Sequence, residues 1–60
     1  MTPEERRQVI ELLEQADSGL EDMKALAQGG RLSCPDAARR TLSIQKKVSE
    51  ATKIIKEAKQ

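Results

Sequence analysis

Apolar residues recur along this chain at alternating steps of four and three, in two stretches that a glycine pair separates. The first stretch carries this seam at Val9, Leu13, Ala16, Leu20, Met23 and Ala27. The second stretch repeats the spacing at Ala37, Thr41, Ile44, Val48, Ala51, Ile55 and Ala58. Such heptad spacing predicts two amphipathic helices, each with one apolar face for a partner helix. Thr41 interrupts the second seam, and we expect its hydroxyl to bond to the carbonyl four residues earlier.

Each predicted helix begins at a capping sequence. Thr2-Pro3-Glu4-Glu5 combines an N-cap threonine, a proline at the first helical position and a glutamate that can bond back to the threonine amide. Ser33-Cys34-Pro35-Asp36 repeats this capping box before the second helix. Gly29 and Gly30 end the first helix, because glycine adopts the left-handed C-cap conformation without steric cost. We predict helix 1 at about 3–28, a turn at 29–33 and helix 2 at about 34–58.

The fold class that follows is an all-α antiparallel hairpin in a single domain, 1–60. The two helices are matched in length and their linker is short, which favours antiparallel neighbours. A chain of 60 residues without aromatic side chains makes a small core, and one cysteine without histidine leaves no intrachain disulfide or metal to brace it. We therefore expect a homo-oligomer, either a dimeric four-helix bundle or a tetramer.

Apolar residues beside the seams supply a candidate surface for that assembly. Leu12 and Leu26 lie two heptads apart on helix 1, with Gly19 midway, where a second backbone could approach closely. A stripe wider than one seam is typical of bundle helices. The alternative is that these side chains are merely scattered and partly exposed, which is common. We predict an oligomer interface made of Ile10, Leu12, Gly19, Leu26, Leu42 and Ile54.

Several classes of protein are not expected. The start of the chain is polar and acidic, unlike a signal peptide, and no stretch approaches the roughly 20 apolar residues of a membrane span. A single free thiol fits a reducing cytoplasm better than secretion. The sequence has no histidine, no glycine-rich phosphate loop and no nucleophile–base pair, so we predict neither an enzyme nor a cofactor.

Charge is segregated between the two predicted helices, the first mainly acidic and the second mainly basic. Three basic residues of helix 2 recur every seven residues, and two more lie one step round the helix. Such a ridge could neutralise the phosphates of double-stranded DNA. The alternative is a solvated face, or one paired with the acidic helix. The candidate residues for nucleic-acid binding are Arg6, Arg7, Arg39, Arg40, Lys46, Lys47 and Lys53.

Cys34 falls at the first position of predicted helix 2. Free backbone amides and the helix dipole favour an anion there, so the sulfur should be a better nucleophile or metal ligand. The alternative is a small apolar residue packed into the corner of loop and helix. One cysteine cannot hold a metal by itself, so we predict no metal site unless several chains share Cys34.

The segment from Cys34 to Val48, continuing to Ile54 and Ile55, resembles the second-helix pattern of the small copper-, nickel- and formaldehyde-sensing repressors, the CsoR/RcnR/FrmR-like family. In that family a cysteine opens the long second helix and an acidic residue often follows two positions later, as Asp36 does here. On helix 1 the resemblance rests on Glu14, Gly19, Leu20 and Met23.

The resemblance implies an all-helical dimer that assembles into a tetramer and represses a stress or metal operon. An effector at Cys34, which matches the family's first sensor ligand, would release the DNA. The chain departs from the family in lacking the later histidine, whose place falls near Lys59, and the second cysteine. A copper or nickel site is therefore not implied. The family's basic segment of helix 1 is mostly acidic here, apart from Arg6 and Arg7.

Three functional hypotheses follow. The first is a homo-oligomeric DNA-binding repressor with a thiol sensor at Cys34. The alternative is a structural or adaptor four-helix bundle that binds a protein or RNA partner, like the small plasmid-copy-number RNA-binding proteins. The third is a metal-responsive protein in which several chains contribute Cys34.

Overall fold

The computed structural model describes residues 1–58 and contains two helices joined by a short loop. The first helix, α1, comprises Pro3–Gln28, and the second, α2, comprises Cys34–Ala58. Gly19 of α1 lies against Ile44, and the Met23 sulfur lies 3.9 Å from the Thr41 hydroxyl, so the two helices run antiparallel. The predicted all-α hairpin is confirmed.

Within the described part of the chain no helix is long and apolar enough to cross a membrane. The position matched to Lys59 lies outside these residues.

The start of α1 has the predicted capping box. The Glu5 amide donates to the Thr2 Oγ1 at 3.1 Å, and the Thr2 amide donates to the Glu5 Oε1 at 2.9 Å. Pro3 occupies the first turn, where its missing amide hydrogen costs nothing. Two of the helix's otherwise unpaired groups are thus satisfied by local side chains.

The same hydrogen bonds predict a small pH effect. They lower the pKa of Glu5 from its ordinary value of 4.5, with the bond from the Thr2 amide as the larger cause. A carboxyl whose folded pKa is lowered stabilises the fold above its unfolded pKa, and this contribution disappears as the pH falls through the folded pKa. Glu5→Gln keeps the hydrogen-bonding shape without the charge. We expect the melting temperatures of wild type and Glu5→Gln to differ at pH 7 and to converge as the pH falls through the lowered pKa of Glu5.

The end of α1 is a Schellman motif. The Gly30 amide donates to the Ala27 carbonyl at 3.1 Å, and the Arg31 amide donates to the Leu26 carbonyl at 2.8 Å. This pattern needs a residue in the left-handed region, and Gly30 supplies it with φ 69°. The chain therefore turns sharply at Gly30 and sends α2 back along α1.

The start of α2 differs from the prediction. The Asp36 amide donates to the Ser33 hydroxyl at 3.3 Å, but the Asp36 carboxylate accepts from Arg40 Nε at 3.0 Å instead of bonding back to the Ser33 amide. Only half of the capping box forms, because the short aspartate side chain pairs with the arginine one turn later. Within α2, the Thr41 hydroxyl donates to the Ala37 carbonyl at 2.8 Å, as predicted.

The helices meet along faces rotated from the predicted seams. Leu13 and Leu20 were placed in the seam of α1, yet 45% and 51% of their surface is exposed, and Val48 of α2 is 42% exposed. Ala27 and Thr41 are exposed as well, so the seam prediction is wrong at these five positions. The buried or half-buried face of α1 consists of Glu5, Val9, Leu12, Ala16, Gly19, Met23 and Leu26. The corresponding face of α2 includes Ala37, Arg40, Ile44, Lys47, Ala51, Ile54 and Ala58.

Small residues account for this rotation. A Cβ atom placed on Gly19 would lie 3.0 Å from Cγ1 of Ile44, so the Ile44 side chain packs directly against the backbone of Gly19. Ala16 and Ala51 are buried beside it in the same interface. A leucine in their place would hold the helices apart and weaken the dispersion contacts along their length. The helices therefore turn their small residues inward and leave Leu13 and Leu20 at the edge.

The resulting core is thin. Among residues 1–58 only Val9, Ala16 and Ala51 are buried, and no large side chain is fully buried. Core residues of an independent domain normally include several fully buried leucine-sized side chains, each contributing about 1.5–3 kcal/mol. One hairpin leaves much of its apolar surface in contact with water.

Candidate functional site

The two broad sides of the hairpin differ in chemistry because of the rotated interface. In each helix, the residue that follows an interface residue in sequence lies to one side of the helix contact. Because the helices are antiparallel, this is the same broad side of the hairpin for both helices. On that side lie Leu13, Leu20, Thr41, Val48 and Ile55, which we call the apolar flank.

The residues that precede interface residues lie on the opposite broad side of the hairpin, which we call the polar flank. It is a shallow groove in which Leu12 and Ile54 form the floor. Polar and charged side chains from both helices form its walls: Gln8, Glu11, Gln15, Glu50, Lys53 and Glu57. The groove is open along its length, and carboxylates outnumber the lysine, so it does not resemble an enclosed ligand site.

The residues predicted for the oligomer interface do not share one surface. Leu12, Gly19, Leu26 and Ile54 are half-buried in the contact face between α1 and α2 of the same chain. Ile10 and Leu42 are exposed, at 47% and 67%, on the outer sides of their helices. These four flanking residues thus join the helices of one hairpin, whereas five seam residues are left at its surface: Leu13, Leu20, Ala27, Thr41 and Val48. The sequence signal for this arrangement was the row of small residues in register with Leu12 and Leu26.

The basic ridge of α2 divides into two sets. Arg39, Lys46 and Lys53 are exposed, and we call them the basic stripe. Arg40 and Lys47 are half-buried at the edge of the helix contact, and Arg40 pairs with Asp36. That pair is the one salt bridge found within residues 1–58. All three residues of the basic stripe are therefore available to an external anion.

Arg6 and Arg7 lie apart from most of this stripe. Both are exposed in the first turns of α1, which places them at the end of the hairpin where α2 finishes. They are therefore nearer to Lys53 than to Arg39. The structure brings Arg6, Arg7 and Lys53 to one end, and it leaves Arg39 near the loop.

Cys34 is the first residue of α2, and its thiol is free and exposed. The alternative interpretation, a side chain packed into the corner of loop and helix, is therefore not seen. Over the described residues there is no group of three or more cysteine, aspartate or glutamate side chains that could hold a metal ion. A metal on one chain would have Cys34 as its sole thiolate ligand.

Comparisons with protein-family models, with curated proteins and with solved structures return no match for this chain. The resemblance to the repressor family therefore rests on the residues quoted for it, and the site is interpreted from its own geometry.

Proposed function

We propose that this chain is a small homo-oligomeric regulator that contacts the backbone of double-stranded DNA through the basic stripe. The observation that supports this function most is the exposure of Arg39, Lys46 and Lys53 with no carboxylate of residues 1–58 within ion-pair distance. Seven residues of helix rise about 10.5 Å, so the three charges are evenly spaced along roughly 21 Å of α2. A straight row of exposed cations can neutralise successive phosphates.

The position of the stripe is compatible with assembly. Each stripe residue precedes a member of the apolar flank by two positions, as Lys46 precedes Val48, and two positions are about 200° around a helix. DNA and a partner chain would therefore approach α2 from different sides. Assembly through the apolar flank would therefore leave the stripe of each chain exposed.

The proposed regulation acts at Cys34. Its exposure at the loop end of α2 allows a thiol-reactive effector to reach it, and the resemblance implies a sensor at this position. A free thiol also fits a cytoplasmic regulator. The expected result is that a thiol-alkylating reagent weakens DNA binding by the wild type and leaves Cys34→Ser unaffected. Equal DNA affinity of the alkylated and untreated wild type would reject the sensor role.

DNA binding is tested by fluorescence anisotropy with a labelled duplex from upstream of the protein's own coding sequence. We expect binding that weakens as salt rises, with a slope of log affinity against log salt near −0.9 for each phosphate contacted. Lys46→Ala and Lys53→Ala should each reduce that slope by about 1 per chain. Lys24→Ala on α1 is the matched control and should keep the wild-type slope.

Two results would contradict the proposed function. One is an affinity that does not change with salt. The other is an identical loss for Lys24→Ala and Lys46→Ala, which would show a diffuse charge effect in place of a site on α2. A regulator should in addition prefer its upstream duplex to a random one at moderate salt.

A structural or adaptor role is the second candidate, supported by the carboxylates around the stripe. Glu11, Glu50 and Glu57 line the same groove as Lys53 and repel phosphate at that end. A four-helix-bundle module of this kind would bind a protein or RNA partner, and its function would survive Cys34→Ser and Lys46→Ala. Loss of function in Lys46→Ala would exclude the adaptor.

A further inference from the structure

The apolar flank is continuous along about half of the hairpin. The contacts between Gly19 and Ile44 and between Met23 and Thr41 fix the register of the two helices. In that register Leu13 and Leu20 alternate along the hairpin axis with Ile55, Val48 and Thr41. Successive members are about half a heptad apart, or ~5 Å, because helix residues rise 1.5 Å each. By the same rule Asp17 and Lys24 of α1 lie on this side too, towards its outer edge, whereas α2 places no charged side chain there within the described residues.

We infer that the apolar flank is covered by the apolar flank of a second copy of this chain. The first support is area. The Cα atoms span 44 × 16 × 10 Å, so one broad side offers ~700 Å². A stable interface of ordinary size buries about 800 Å² on each partner. The side of one hairpin is thus about large enough for a matching hairpin, and an uncharged central row with charged residues towards the edge is typical of interfaces.

The second support is charge complementarity between the helices. Within Pro3–Gln28, seven acidic and three basic residues give α1 a net charge of −4. Within Cys34–Ala58, six basic and three acidic residues give α2 a net charge of +3. A second copy provides both signs at once, whereas an unrelated partner helix would complement only one of the two helices.

This charge pattern selects one of two symmetric arrangements. If the two-fold axis runs parallel to the helices, each α1 lies beside its own α2 and beside the partner's α2. Every neighbouring pair is then antiparallel and opposite in charge, which suits the helix dipoles as well. If the axis crosses the helices, α1 lies on α1 and α2 on α2, and like charges face each other. The inferred dimer has the parallel axis.

The arrangement places both Cys34 residues at the same end of the bundle. Helices packed at 8–10 Å put diagonal neighbours about 14 Å apart, so spin labels on the two thiols should lie roughly 15–30 Å from each other. With the crossing axis the labels would lie at opposite ends, about 40 Å apart. Cys34 is the only cysteine, so the wild-type chain can be labelled directly.

The test is a pulsed dipolar measurement between the Cys34 labels, made on three further variants as well as on the wild type. The expected wild-type distance is 15–30 Å. Leu20→Glu and Val48→Glu should each abolish this signal or raise the dimer dissociation constant at least tenfold. Leu42→Glu places the same charge on a more exposed leucine outside the flank and should keep the wild-type distance.

Each contrary outcome is informative. A protein concentration of roughly 100 µM populates even a weak dimer. The absence of a dipolar signal in the wild type at that concentration would overturn the inference that a second copy covers the apolar flank. A distance near 40 Å would overturn the parallel axis. Loss of signal in Leu42→Glu with retention in both flank variants would move the interface elsewhere. The apolar flank and the basic stripe are on different sides of α2, so Lys46→Ala should leave the distance between the Cys34 labels unchanged. A failure of DNA binding can therefore be distinguished from a failure of dimerisation.

Discussion

Gly19→Leu is expected to separate the two helices and to cost about 2–3 kcal/mol of unfolding free energy. The physical reason is the 3.0 Å between an added Cβ and the Ile44 side chain, since three further carbon atoms have no space at this contact. A chain of 60 residues has roughly 3–9 kcal/mol of stability in total, so the variant should lose at least about a fifth of it and unfold at clearly lower urea. Urea denaturation followed by far-UV circular dichroism measures the loss.

Two controls show that the effect belongs to the contact. Ser18→Leu adds the same side chain on an exposed neighbouring position of α1 and should keep wild-type stability. Gly19→Ala should cost far less than Gly19→Leu, because alanine gains about 1 kcal/mol of helix propensity while its Cβ requires only that Ile44 Cγ1, 3.0 Å away, shift by a few tenths of an ångström. Equal stability of Gly19→Leu and Ser18→Leu would show that the helices do not meet closely at Gly19.

Ala51→Asp should have the largest effect of all, because Ala51 is only 1% exposed. A carboxylate at this position would be dehydrated between the helices, at a cost of about 3–5 kcal/mol. Lys47, one turn earlier, is half-buried, and pairing with it would still require both charges to leave water. We expect no cooperative melting transition for this variant.

The matched control for this substitution is Ser49→Asp, which places the same side chain on the exposed side of α2. It should shift the melting temperature by a few degrees at most. A folded Ala51→Asp protein with normal helicity would mean that the buried face of α2 has been assigned incorrectly.

Most of the fold was predictable from local signals. Thr2, Glu5 and Gly30 act through hydrogen bonds and φ values confined to a few residues, and such signals are visible in sequence. The half-formed box at Asp36 shows the limit of this approach. There a competing partner, Arg40, is one turn away, and the sequence does not say which bond forms.

The faces of the helices were less predictable than their ends. Leu13 and Leu12 are neighbours, and both extend into regular heptad rows, so periodicity alone allows either to face α2. The choice depends on how closely the backbones approach at Gly19, which is a property of the packed pair. For the same reason the sequence identified a basic ridge on α2 but could not separate the exposed Lys46 from the half-buried Lys47.

The apolar flank and the basic stripe occupy different sides of α2 and have different proposed roles. Val48 and Ile55 belong to the flank inferred to join two chains, and Lys46 and Lys53 belong to the stripe proposed to meet phosphate. A dimer with its two-fold axis along the bundle would carry two such stripes on opposite outer sides. One DNA duplex would then contact one stripe at a time, which predicts that the dimer can bridge two duplexes.

Self-association is the claim on which both the stability of the hairpin and the proposed regulator depend. The measurement that tests it most directly is the absolute mass of the wild-type chain by light scattering after size exclusion, with reductant present to prevent a disulfide through Cys34. We expect a mass of at least two chains of 6.7 kDa each. A fully helical species with the mass of one chain would contradict it, because the apolar flank would then be stable in water without a partner.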